Sequence, residues 1–341
     1  LSTIGFRVQR GMELAAKRTP VKLVFRDIGT DPESAAGITR ELAQDESVVA
    51  ILGPLSSSVA QDAADAAQAA SVPLITLAQK DGLTQTGAWI FQAFLTPRQQ
   101  VRALVRQAMG QGIKRYAVLY PDSSYGRTFF QNFQDEVASQ GGELVAQAFY
   151  SQGSQEFGPT LASMAEGLKP QPEEAKAATA LFIPDDPATV AAIAGSLADS
   201  PLQGCQLLGT NLFHNAQIPE AQVTALQGII FPDAFFAGDP NPAVQKFIAA
   251  YRQQYGEEPD YLAAQGYVVL SLMARLAESH PGLSRTALPQ QLLSLKRLPN
   301  LPWFKGFNSQ REEEADVYLL TLTSGGIQMV PASPAGTEPG Q

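Results

Sequence analysis

From Ile51 to Leu77 the chain reads ILGPLSSSVAQDAADAAQAASVPLITL: an apolar run, a hydroxyl-rich turn, an alanine-rich helical stretch and a second apolar run. Such alternation implies parallel strands with right-handed crossovers, and sheets of that kind bind ligands beyond the carboxyl ends of their strands. The turn sets Ser56, Ser57 and Ser58 side by side where the free N–H groups of a helix start gather. That suits a carboxylate or another anion. The alternative is that Ser56 is an ordinary helix cap.

The same alternation runs through most of the chain. Val21–Asp27 (VKLVFRD) is apolar and β-branched enough for a strand, and Thr30, Asp31 and Pro32 supply a helix start, with Ala36, Ile38 and Leu42 on one stripe. Val101, Leu104, Val105 and Met109 repeat at helical spacing, as do Phe129, Phe130, Phe133 and Val137, and YAVLY at Tyr116–Tyr120 lies between them as a strand. Further strands are expected at Glu143–Tyr150, Ala180–Pro184, Gln206–Thr210 and Gly228–Phe231, with helical stripes at Val190, Ile193, Leu197 and at Val244, Phe247, Ile248, Tyr251. With 341 residues the chain suits two α/β lobes better than one core.

Composition removes several classes of partner. Lys plus Arg is 24 against 33 for Asp plus Glu, a net charge of -9 that disfavours nucleic acid. No apolar run reaches the roughly 18 residues of a membrane span. The lone Cys205 excludes an internal disulfide and leaves the compartment open. The chain opens at Leu1 without a methionine or an apolar leader, so a targeting segment is expected to have been removed or not included.

Two segments match in a way that suggests duplicated halves. Ser2-Thr3-Ile4-Gly5-Phe6 leads into a helix, and Ser123-Ser124-Tyr125-Gly126-Arg127 does the same after the strand YAVLYP. A strand is therefore expected ahead of Leu1, where the first copy has none. The tail PASPAGTEPGQ at 331–341 is expected to be flexible.

In the order ILGPLSSS, VPLITLAQKDGLT, RYAVLYPDSSYGRTF, ALFIPDDPATV and LLGTNLF, the chain resembles the type I periplasmic binding proteins of the Leu/Ile/Val-binding class, from about Ser2 to about Thr323. The resemblance implies an α/β fold of two doubly wound parallel-sheet lobes joined by three crossings, closing around a small solute in the cleft between them. It places the crossings near Thr96, Pro232 and Leu301, giving residues 1–96 plus 233–301 for lobe 1 and 97–232 plus 302–330 for lobe 2. The implied function is capture of a small polar ligand, an amino acid or related carboxylate, for the membrane permease subunits of an ABC transporter. The implied location is the periplasm or cell envelope.

The resemblance also implies binding positions. Ser57 and Ser58 stand where the family holds an α-carboxylate. Ala78 and Gln79 stand where the family carries Ala-Ser or Ala-Thr, with the longer amide in place of a hydroxyl. Tyr125 matches an aromatic covering the ligand from the second lobe, or is a core or hinge tyrosine. Asp185 and Asp186 follow the strand ALFIP and can hold an ammonium group, or form a solvated turn. Asn211 occupies a position that is often acidic among amino-acid binders, so an ammonium would have to turn to Asp185 or Asp186.

The stretches TLAQKDGLT and FLTPRQQVRALV, from Thr76 and Phe94, are similar to the binding-protein-like domain of penicillin-binding protein activators. Those are outer-membrane lipoproteins that regulate peptidoglycan synthases. On that alternative the fold is kept and a cell-wall synthase is the partner. No enzyme, metal or cofactor is expected. His214 and His280 lack metal spacing, with His214, just after Asn211, read either as facing the cleft or, in preference, as a surface-loop histidine, and no Gly-x-Ser-x-Gly elbow or Gly-Lys-Ser/Thr phosphate loop occurs. The run Glu312, Glu313 and Glu314 reads as a solvated edge.

Overall fold

The computed structural model describes residues 3–17, 19–166, 179–198, 200–214 and 218–331. The expected tail at 331–341 lies, but for Pro331, outside the described residues. The chain forms two compact units, Leu1–Thr96 with Ala234–Asp316 (unit 1) and Pro97–Asp233 with Val317–Gln341 (unit 2).

Unit 1 opens with helix α1 (Thr3–Ala16), followed by α2 (Pro32–Gln44), which begins at Asp31 with its carboxylate accepting the Ser34 N–H. Strand β1 (Ile51–Leu52), α3 (Ala60–Ala69), β2 (Leu74–Thr76) and β3 (Ile90–Gln92) make a parallel sheet in the order β1-β2-β3. The five buried alanines of α3 (Ala60, Ala63, Ala64, Ala66 and Ala67) let the helix lie close on this sheet. Val21–Asp27 takes no regular structure, which corrects the strand expected there. Its β-branched residues have no paired neighbour, and strand formation depends on such a neighbour more than on intrinsic preference.

Unit 2 continues with α4 (Pro97–Gly110), β4 (Arg115–Pro121), α5 (Ser124–Ser139), β5 (Glu143–Tyr150), β6 (Thr179–Phe182), β7 (Gln206–Leu208) and β8 (Ile230–Asp233). In unit 1, β9 (Lys296–Leu298), β10 (Leu301–Phe307) and β11 (Glu313–Ala315) form a second, antiparallel sheet. The chain then returns to unit 2 with β12 (Tyr318–Thr323) and β13 (Gly326–Met329). Unit 2 thus carries a seven-stranded sheet in the order β13-β12-β8-β7-β6-β4-β5, in which β12 alone runs against the others, antiparallel to both β8 and β13. Val101, Leu104, Val105, Phe129, Phe133 and Val137 bury the helical stripes against Tyr116, Val118 and Phe182 of the strands.

Two further expectations are corrected. Leu301 is not the last boundary: β10 pairs with β9 and β11, so the chain stays in unit 1 until Asp316. The Glu312–Glu314 run is not a solvated edge throughout. Strand β11 turns Glu314 outward and Glu313 inward, where Glu313 is 4% exposed and accepts a 2.7 Å hydrogen bond from Gln265 Nε2.

Candidate functional site

Within unit 1 the expected residues lie at the carboxyl ends of β1 and β2. The Thr76 hydroxyl and the Leu77 N–H both donate to the Pro54 carbonyl, at 3.3 and 2.9 Å, which ties the serine turn to the loop after β2. Ser57 and Ser58 are exposed, and the Ser56 and Ser58 hydroxyls share a 2.8 Å hydrogen bond. Helix α3 is entered through Val59, with no side-chain cap. That sets aside Ser56 as a cap and leaves the first helical N–H groups to a ligand or solvent.

The loop after β2 is shaped by Gln92, a buried polar residue in the otherwise apolar strand β3. Its Nε2 donates to the carbonyls of Ala78 (2.8 Å) and Lys80 (2.9 Å). The Ala78 side chain packs with Ala60 and Leu83, so this position offers backbone and not a functional side chain. Gln79 lies half-buried beside it, its Nε2 buried without a hydrogen-bond partner.

Within unit 2, Tyr125, Asp185 and Asn211 also follow strands. The Tyr125 hydroxyl donates to Thr210 Oγ1 at 3.0 Å, and the ring packs on Phe129 at 4.7 Å, so one residue serves both the core and the strand ends. Burial first, and the charge of Asp185 second, push its phenol above the ordinary range. Asn211 is buried, its N–H donates to Gln100 Oε1 at 3.1 Å, and its Oδ1 has no partner. Asp185 accepts the Tyr150 hydroxyl at 2.6 Å, and burial raises its carboxyl above the usual carboxylate range.

Asp186 has a different task. It is the cap of the helix Pro187–Gly195, accepting the N–H groups of Ala188 at 2.9 Å and Thr189 at 3.1 Å. Burial works to raise its carboxyl, but those bonds and the Thr189 hydroxyl hold it below the ordinary value. Asp186→Ala should lower stability by about 1 kcal/mol, the usual effect of losing such a cap. Urea unfolding measures it, and an unchanged midpoint would show the helix start to be held by other contacts.

His214 is no surface-loop histidine. Its Nδ1 lies 2.5 Å from Asp233 Oδ2, with side-chain exposures of 14% and 0%. Among the described residues no group of three or more His, Cys, Asp or Glu is placed to hold a metal ion. Sequence reasoning missed Gln92, Gln100, Tyr150 and Thr210. Of these Gln92 carried a signal, as a lone amide inside the apolar run IFQAF.

The chain is similar in fold to several solved structures. An ABC transporter substrate-binding protein from Desulfitobacterium hafniense superposes with a TM-score of 0.79 at 21% identity, covering 95% of each chain. The leucine binding protein LivK from Thermotoga maritima gives 0.73 at 19%, covering 97% of this chain and 94% of its own. A solute binding protein of an ABC transporter from R. palustris, solved with benzoate, gives 0.71 at 20%, covering 96% and 91%. A search of the curated proteins finds no match. The family model described as "Periplasmic binding protein" matches residues 5–326, and the chain belongs to that family.

Proposed function

We propose that this protein captures a small polar carboxylate, an amino acid or a related acid, and presents it to the permease of an ABC transporter in the periplasm or cell envelope. The observation that carries the reading is the uncapped start of α3 beside the exposed hydroxyls of Ser57 and Ser58. Backbone N–H groups and hydroxyls stabilise an anion without a buried counter-charge. Gln79 adds a donor on the neighbouring loop. The similar proteins of known structure include one solved with leucine and one with benzoate, both ligands bearing a carboxylate.

In unit 2 the acid that is not committed to a helix cap is Asp185, and it is our choice for an ammonium group. Asn211 is neutral, and Tyr125 supplies an aromatic face. A thermal-shift panel of amino acids, benzoates and aliphatic acids tests the reading, since a ligand at 100 times its Kd stabilises the fold by about 2.7 kcal/mol. Silence across the panel overturns it and leaves the cell-wall synthase regulator standing.

With a ligand in hand, Ser57→Ala is expected to weaken binding roughly tenfold, because a hydrogen bond to a charged group is worth about 1.5 kcal/mol or more. Asp185→Asn should weaken amino acids while sparing acids that lack an ammonium. Calorimetric titration of both variants checks this, and equal losses for the two ligand classes would remove Asp185 from the site.

A further inference from the structure

In unit 2 two tyrosine hydroxyls bridge the carboxyl ends of the strands, which lie in the order β7-β6-β4-β5. Tyr125 follows β4 at the start of α5 and passes the end of β6 to reach Thr210 after β7. Tyr150 is the last residue of β5, and its hydroxyl passes the end of β4 to reach Asp185 after β6. Tyr125 belongs to the candidate site described above. Tyr150 is a buried side chain that has no task there so far.

Asp185 is held at both carboxylate oxygens. Oδ2 accepts the Tyr150 hydroxyl at 2.6 Å, and Oδ1 accepts the Asp186 N–H at 2.8 Å. Each oxygen of a carboxylate can accept a further bond, so the plane of the group is set while it keeps room for a donor. Tyr150 is itself fixed. Its ring meets Phe157 edge-on at 5.1 Å, its carbonyl accepts the Asp122 N–H at 2.7 Å, and it stands opposite Pro121 in the β4–β5 ladder.

A bond from an immobilised phenol to a half-buried carboxylate has two effects. It aims the carboxylate, and it favours the ionised form against burial, which raises the Asp185 carboxyl. The neighbouring groups do not replace it. The Asp186 N–H also favours the ionised form, but the Asp186 carboxylate repels a second charge. Tyr125, on α5, stays neutral because burial pushes its phenol up.

We propose that Tyr150 is a positioning residue that keeps Asp185 ionised and aimed at the ammonium group of the ligand, and so makes the site prefer amino acids to acids without an amine. The inference rests on the assignment of Asp185 to an ammonium under Proposed function. Tyr150 acts through Asp185 and not by touching the ligand.

Tyr150→Phe tests this, since it keeps the ring against Phe157 and removes the hydroxyl alone. First, the Asp185 carboxyl of the ligand-free protein is titrated by carbon-13 NMR, with Asp185→Asn identifying its signal. Loss of a hydrogen bond to the charged form should move the midpoint to higher pH. Second, calorimetry compares leucine with 4-methylpentanoate, the same skeleton without the amine, at about pH 5.5 and about pH 8. The variant should bind leucine about tenfold more weakly at the lower pH, the scale of one hydrogen bond to a charged group, and less so at the higher pH, where Asp185 is ionised in both chains. Binding of 4-methylpentanoate should not change. In an Asp185→Asn background Tyr150→Phe should have no further effect on leucine. A midpoint that stays in place overturns the proposal, and leucine binding by the parent then leaves the transport reading standing. Equal losses for the two ligands also overturn it, because a merely structural tyrosine would affect both alike. If neither ligand binds the parent, the transport reading loses this ligand class, and the NMR midpoint alone decides whether Tyr150 governs Asp185.

Discussion

Gly266→Ala is expected to destabilise unit 1 by about 3 kcal/mol, at the upper end of the range for overpacked cores. Gly266 lies in the helix Tyr261–Ser279 where it crosses α1, and a Cβ there would stand 2.2 Å from the Val8 carbonyl oxygen. The contact is reciprocal: a Cβ at Gly11 would stand 1.9 Å from the Ala263 carbonyl oxygen. Both obstacles are helix backbone, which cannot swing aside as a side-chain tip can. The helices must separate instead, opening gaps around Val8, Met12 and Leu270, all now buried. Dispersion contacts fall off steeply with such gaps. The better helix propensity of alanine, about 1 kcal/mol, works against the loss without cancelling it. Gly37→Ala is the control: it lies in α2 with nothing within 4 Å of a Cβ, so there the propensity gain should appear alone. Urea unfolding of both variants decides the matter. A Gly266→Ala midpoint at or above that of the parent would mean that the crossing is looser than the backbone distances imply.

Which parts of the molecule were legible in the sequence follows from how local their causes are. The stripes Val101-Leu104-Val105 and Phe129-Phe133-Val137 are buried as their spacing implies, because one helix face suffices to specify them. Val21–Asp27 has the composition of a strand and forms none, because a strand exists only through its neighbours. The last boundary moved from Leu301 to Asp316 for a related reason, since β10 is held by β9 and β11 and sequence periodicity carries no record of pairing. At the candidate site the strand ends were readable, whereas the bonds that shape them were not. Gln92 reaches the carbonyls of Ala78 and Lys80, and Gln100 reaches the N–H of Asn211. Asp186 was legible in type and not in role: Asp before Pro suits a turn and a helix cap equally, and the chain uses it as a cap.

The charge run Glu312–Glu314 shows the same limit and leads to the other large effect. Glu313→Gln is expected to raise stability above neutral pH by about 1–3 kcal/mol and to flatten its pH dependence. Burial raises the Glu313 carboxyl from 4.5 to about 7, with the hydrogen bond from Gln265 pulling the other way. Between those two values the folded chain keeps a proton that the unfolded chain has released. Stability linked to this group is therefore fully present below about pH 4.5 and is lost as pH rises through about 7. At about 1.4 kcal/mol per unit, the whole shift corresponds to roughly 3 kcal/mol. A glutamine does not titrate, and its carbonyl can still accept from Gln265 Nε2, which itself also donates to the Ala93 carbonyl at 2.7 Å. Part of the gain is returned because the new amide N–H groups need acceptors of their own. Urea titrations from about pH 5 to about pH 8 should show the parent weakening across the range and the variant holding level. Parallel profiles would mean that Glu313 stays ionised in the fold, with partners strong enough to offset its burial.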